Sequence, residues 1–244
     1  MNAVAAEVMM HYLRNRAFVI SICFLLPLGC ASSQGLHLEP LNESLRYEEH
    51  RFIGEEPPKT LVTSPPGRAL PKLGLYLKPT GFLNREFEWT DGDRDTMLTW
   101  AKRLRSDGIA SDASFIPQSS LKGDTMTELR ESAARYGADL LLIIDGAASV
   151  DRYNNYKASL LYWTILGAYF ADGTHSDALC LLRSSVWDVK AGTRLFSDDA
   201  QGIARQVGPA TQVDDRVAVA QACRQTLPQL LATVKNRLTH AQHP

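Results

Sequence analysis

The chain lacks a charge excess. It carries 26 Lys+Arg against 27 Asp+Glu, a formal net charge of -1 over 244 residues. A nucleic-acid binder shows a basic domain or stripe, so that class is excluded. Histidine is scarce where chemistry would need it: of six, His11 lies in the amino-terminal leader, His37 and His50 in a proline-rich stretch, and His240 and His243 at the carboxyl end. His175 alone belongs to the body of the chain. No Gly-x-Ser-x-Gly elbow or Cys–His pattern accompanies it, so it reads as a solvated turn residue beside Asp172 and Asp177. His240-x-x-His243 spans one helical turn at a frayed end without further ligands, which argues against a metal site. Walker and dinucleotide glycine loops are missing as well. The expectation is a protein without metal, cofactor or catalytic residues, and not an enzyme. Wholesale disorder is also excluded, because 45% hydrophobic and 22% charged residues suit a globular chain.

What is present is an export signal. Arg14 and Arg16 precede an apolar run, 17–28, of 12 residues. About 20 would be needed to span a bilayer as a helix, and charge followed by a short apolar run is the layout of a secretory signal. A start at Met9 or Met10 would keep that layout whole. The run ends in Leu26-Pro27-Leu28-Gly29-Cys30, which resembles a bacterial lipobox, with Pro27 where Leu is usual. The resemblance implies cleavage between Gly29 and Cys30 and a lipidated Cys30, the only cofactor-like group expected. Two or three acyl chains at about 0.8 kcal/mol per methylene anchor stably where one is marginal. Neither Ala31 nor Ser32 is an inner-membrane retention Asp, so the resemblance implies the outer membrane, with the domain in the periplasm. Four cysteines less Cys23 and Cys30 leave Cys180 and Cys223. An oxidising envelope permits a strand-to-helix staple between them. Two buried thiols acting as small apolar residues are the favoured alternative.

After the signal (1–29) comes a tether, 30–71, holding six of the twelve prolines. Pro-rich chain is semi-rigid, and forty-odd residues could reach on the order of 100 Å at polyproline rise. A short helix around residues 41–47 is compatible with it. Whether the segment spaces the domain from the membrane or wraps it stays open.

The folded domain, 72–240, begins with the apolar run Leu73-Gly74-Leu75-Tyr76-Leu77, a strand stopped by Pro79. Met97, Trp100, Ala101 and Leu104 recur at helical spacing between an Asp-rich start and Gly108. Phe115-Ile116 opens a strand that Pro117 keeps near an edge. Asp124 then caps a helix that stops at Gly137. Leu140-Leu141-Leu142-Ile143-Ile144 reads as the central strand of an α/β sheet. Asp145-Gly146 either ends that strand or lines a crevice at its carboxyl end. Asn154-Asn155 and Asp172-Gly173 mark turns, and Lys190-Ala191-Gly192-Thr193 closes a hairpin onto Arg194-Leu195-Phe196. A last helix from about Asp214 carries Val217, Ala220, Cys223, Leu227, Leu230, Leu231, Val234 and Leu238 on one stripe, with Pro228 bending it. The fold class is α/β, a single mixed-sheet domain: βαβαβ, then β-hairpins, then a carboxyl-terminal helix.

The run 160–171 is apolar or aromatic on both strand faces. A strand buried under helices accounts for it. So does an apolar hairpin offered to a partner or the bilayer, with Tyr162, Trp163 and Tyr169 as contacts.

Tyr162-Trp163-Thr164-Ile165-Leu166-Gly167-Ala168-Tyr169, Val186-Trp187-Asp188-Val189, Leu195-Phe196 and Arg135-Tyr136-Gly137-Ala138-Asp139 together resemble the signature block of the rhombotarget lipoproteins, over roughly residues 73–202. That family name records an association with rhomboid-type sorting proteases and no established activity. The end of this chain departs from a rhombosortase substrate: 237–244 has no Gly-Gly, apolar helix and basic tail. More broadly, Gly137-Ala138-Asp139-Leu140-Leu141 and Asp188-Val189-Lys190-Ala191-Gly192 are similar to the α/β domain of the curli secretion lipoprotein and of outer-membrane activators of peptidoglycan synthases. Those resemblances imply binding and assembly rather than catalysis. The expected function is a membrane-anchored accessory or adaptor for an unidentified envelope protein. A homo-oligomeric secretion or pore component is the alternative.

Overall fold

The computed structural model describes residues 32–54, 70–81, 86–123, 125–156, 158 and 169–242. The signal peptide, Gly29, Cys30, Tyr162 and Trp163 lie outside the described residues. Among the described residues the main helices and strands, in chain order, are α1 (Leu38–Ile53), β1 (Lys72–Leu77), α2 (Asp91–Ser106), β2 (Asp112–Phe115), α3 (Met126–Arg135), β3 (Leu140–Asn154), β4 (Thr174–Asp188), β5 (Arg194–Gly208) and α4 (Asp215–Gln242). One five-stranded sheet runs in the order β2-β1-β3-β4-β5. The α/β fold class and the central place of the strand that opens at Leu140 are as expected.

The sheet is mixed for a reason visible in its connections. β1 pairs parallel with β2 and with β3, Leu73 opposite Leu140 and Leu77 opposite Ile144. The joins to these strands run through α2 and α3, as parallel neighbours require. β4 and β5 are hydrogen-bonded neighbours separated by 189–193 alone, too short for a parallel crossover. β3 and β4 are likewise antiparallel, because the Asn155 amide at the end of one donates to the Gly173 carbonyl at the start of the other, 2.8 Å.

Local chemistry sets the boundaries. Thr90 and Asp93 form a reciprocal capping box at the start of α2, with the Thr90 amide 2.8 Å from Asp93 Oδ2. The cap of α3 is Thr125, whose Oγ1 accepts from the Glu128 amide, rather than the expected Asp124. α4 keeps the expected stripe from Cys223 to Leu238. At its start, however, Ala218, Val219 and Ala222 face the core, while Val217 is 51% exposed. β3 does not end at Asp145-Gly146; it runs eight residues further, to Asn154. The Phe87 ring lies so close to Gly146 that a Cβ there would sit 2.2 Å from Cζ, so the position requires glycine.

In sequence, residues 31–71 are open to two readings, spacer or wrap. They are not one extended spacer, because α1 fills sixteen of them. Pro40 occupies its first turn, where the amide would have no intrahelical partner. Leu41, Leu45 and Phe52 recur on one face and are buried. Of the two readings of this segment, wrapping is what 38–53 does.

By internal contacts the chain divides into two compact units. The larger holds Gly35–Asp151, Asp177–Arg205 and Asp214–Pro244; the smaller holds Met1–Gln34, Arg152–Ser176 and Gln206–Val213. In the larger unit, one face of the sheet packs Leu75, Leu142, Ile144, Cys180, Leu182 and Ala204 against α2 and α4. Trp100 Nε1 donates to the Leu231 carbonyl and joins those two helices. The other face packs Tyr76, Leu141, Ile143 and Trp187 against α3 and Phe52 of α1, and Ala147, Leu179 and Leu181 against Leu41 and Leu45 of α1. In the smaller unit, the Arg152 guanidinium donates to the carbonyls of Ala210 and Val213. There too the Tyr153 and His175 rings stack 5.0 Å apart.

Candidate functional site beneath the first helix

Charged residues buried inside an α/β layer demand an explanation, since each must be paired or shed its charge. Lys78 follows β1 directly, Asp145 lies on β3, Arg183 on β4, Arg194 and Asp199 on β5, and Glu49 on α1. The fold brings all six together under α1. Lys78 Nζ donates to Asp145 Oδ2 at 2.7 Å, both side chains nearly buried. Arg183 forks onto Asp199 through Nε at 2.8 Å and Nη2 at 3.0 Å. Its Nη1 lies 3.5 Å from Glu49 Oε2, and Nη2 is 3.4 Å from Asn42 Oδ1. Arg194 donates to the other Glu49 oxygen. Phe52 lies below Lys78, with the ammonium 5.5 Å from the ring centroid.

Burial pushes the Asp145 carboxyl above its ordinary range, against the pull of Lys78. The bidentate bond to Asp199 raises Arg183, opposed by burial. Charges in the cluster balance one another. The cavity enclosed by Glu49, Phe52, Ile53, Lys78, Ile143, Asp145, Arg183 and Ser185 measures about 20 Å³, room for one water with polar partners. Such a site can hold a helix to a sheet.

The residues singled out in the sequence fall elsewhere. Cys180 and Cys223 are bonded, with Cα atoms 5.2 Å apart, so the favoured alternative of two free thiols is corrected. Strand β4 and helix α4 bring them together inside the apolar face. Tyr169 and Phe170 are helical, not extended, and exposed; 159–168 lie outside the described residues. His175 sits in β4 rather than in a turn, with Nε2 3.4 Å from the side-chain Nδ2 of Asn155. Asp177 pairs with Arg205. Among the described residues, no group of three or more His, Cys, Asp or Glu is placed to hold a metal ion. No helix of the described residues is long and apolar enough to cross a membrane. The block Val186-Trp187-Asp188-Val189 builds the hairpin. Trp187 Nε1 donates to Ser185 Oγ, and Asp188 Oδ1 accepts from the Ala191 amide at 2.7 Å. Sequence reading missed the ionic cluster. The signal for it was a charge set directly after an apolar run, Arg183 after Ala178-Leu179-Cys180-Leu181-Leu182, and a Lys closing another.

No protein-family model matches the chain, and no curated protein matches it. Some solved structures are similar to it at low scores. The dodecameric PelC from Paraburkholderia phytofirmans is 16% identical, with a TM-score of 0.33 over 70% of this chain and 87% of that one. A neuraminyllactose-binding hemagglutinin homolog from Helicobacter pylori is 11% identical, with a TM-score of 0.40 over 77% and 97%. A minor lipoprotein from Acinetobacter baumannii is 10% identical, with a TM-score of 0.34 over 70% and 92%. All three scores lie below 0.5, too low to transfer anything from those proteins to this chain.

Proposed function

We propose that this chain is a bacterial envelope lipoprotein, anchored through lipid on Cys30, whose α/β domain serves as a non-catalytic adaptor for an envelope protein assembly. The observation that carries this is the docking of α1. The segment that leaves the lipobox is folded into the domain by Leu38, where a long free leash was the other choice. Glu49 adds ion pairs to Arg183 and Arg194 there. An anchor built into the fold presents the domain's outer surfaces at a defined height above the bilayer, which suits a docking module. The absence of a retention Asp at Ala31 and Ser32 favours the outer membrane. The Tyr-Trp-Thr and Val-Trp-Asp blocks favour kinship with the rhombotarget lipoproteins.

One observation favours a second reading, self-assembly into a secretion or pore component. β5 forms one edge of the sheet, and its odd-numbered residues from Leu195 to Val207 are exposed. A long outer strand is a template for pairing with another chain. In-cell cross-linking of a tagged copy, beside palmitate labelling of wild type and Cys30→Ala, tests both. One dominant foreign envelope protein and label lost with Cys30 is the expected result. A ladder of self-multiples would replace the adaptor with the assembly, and label retained in Cys30→Ala would remove the anchor.

A further inference from the structure

The residues just after the lipobox are held at one known place. The Gly35 amide donates to Oδ2 of the buried Asp151 at 2.9 Å, near the end of β3. Gly35 itself has φ +84°, which a side chain would strain. Cys30 lies five residues earlier, so fully extended chain reaches at most about 18 Å from Gly35 and puts Cys30 within roughly 25 Å of Asp151. If acyl chains on Cys30 lie in a bilayer, this end of β3 is held within that distance of the headgroups.

The smaller unit contains both Ser32–Gln34, next to the lipobox, and Arg152–Ser176. It exposes large aromatic surface: Tyr156 at 72%, Tyr169 at 52% and Phe170 at 78%. Over Arg152–Ser176 the charged residues are three, Arg152, Lys157 and Asp172. Tyr and Trp concentrate at bilayer interfaces, where an apolar ring and a polar tip are both satisfied.

Resting on the lipid-anchored reading above, we infer that Tyr156, Tyr169 and Phe170 lie against the bilayer surface that holds Cys30, a second and non-covalent membrane contact. The acyl chains already supply stable attachment, so this contact sets orientation rather than affinity.

The test uses the full lipoprotein in phosphatidylethanolamine–phosphatidylglycerol vesicles with doxyl-labelled lipid. An environment-sensitive fluorophore is placed at Phe170→Cys or, as reference, at Lys102→Cys on α2, where the side chain is exposed. The other cysteines are lipidated, bonded or removed with the signal. The expected result is quenching several-fold stronger at 170 than at 102, with a blue shift at 170 alone. Equal quenching at both positions on chains that float with the vesicles overturns this inference and leaves the anchor intact. A blue shift at 170 without doxyl quenching places the patch against protein and also overturns it. Chains that neither float nor carry lipid on Cys30 overturn the anchored reading, and this inference with it.

Discussion

Under α2 and α4 the sheet presents Leu75, Leu142, Ile144, Leu182 and Val186, an apolar face closed by the Cys180–Cys223 bond. Under α1 the same strands present Lys78, Asp145 and Arg183. Adjacent residues of one strand, Leu182 and Arg183, point to these opposite surroundings. The first face is held by area: non-directional, tolerant of exchange among apolar side chains, and readable from period. The second adds to its apolar contacts a few directed bonds, in which a buried charge left without its partner is costly. The covalent staple strengthens the face that needs least specification. The ionic cluster specifies where α1 docks on the other.

The strongest way to break this contrast is Lys78→Met, which strands the Asp145 carboxylate. A loss of about 3–5 kcal/mol at neutral pH is expected for one partner of a buried pair. Lys78→Met/Asp145→Leu should regain most of it. Acid should also relieve the single variant. Asp145 titrates above its unfolded value, so the folded state holds its proton longer than the unfolded state does. The stability so gained is present at low pH and is lost as pH rises through the carboxylate range. Removing Lys78, which lowers Asp145, raises it further and widens that window. Denaturant midpoints from pH 4 to 8 read the effect. A Lys78→Met deficit that does not shrink on acidification would sink the account.

On the apolar face, Cys180→Ala/Cys223→Ala opens a loop of sequence separation 43. Loop-closure entropy puts the loss at about 4 kcal/mol, with values of 2–4 typical. The variant should still fold, because Ala fits both positions and the surrounding leucines remain. Thermal unfolding with and without reductant checks this: wild type should fall on reduction to the level of the double variant, which should itself be indifferent to reductant.

The difference between the faces also explains what could be read in advance. Leu140 to Ile144 and the stripe from Cys223 to Leu238 follow from period alone, and the parallel pairing follows from helices placed between strands. The ionic cluster was not legible, because Glu49 and Arg183 are 134 positions apart and nothing local couples them. α1 was half legible: Leu41 and Leu45 hinted at a helix, but Pro40 and the prolines after Ile53 made the whole segment resemble a spacer. The strand reading of 160–171 gave way at Tyr169-Phe170, where unbroken apolar sequence suits helix and strand equally. The disulfide needed the fold, since two cysteines and a compartment permit pairing without requiring it.

The smallest change separates the two forces acting on α1 itself. Glu49 joins Arg183 and Arg194 and is 24% exposed, so Glu49→Gln should cost about 1 kcal/mol, in line with solvent-screened pairs. Leu41, Leu45 and Phe52, all buried, are each worth roughly 1.5–3 kcal/mol. Area therefore outweighs the Glu49 bonds as the source of docking strength, and the ions act on register. Native-state hydrogen exchange on α1 amides checks the balance: slightly faster exchange in Glu49→Gln, and near-complete loss of protection in Leu45→Ala. If Glu49→Gln alone released the helix, directed bonds rather than buried area would be holding the lipobox-proximal segment. The two faces of the sheet would then differ in kind, and not only in what they specify.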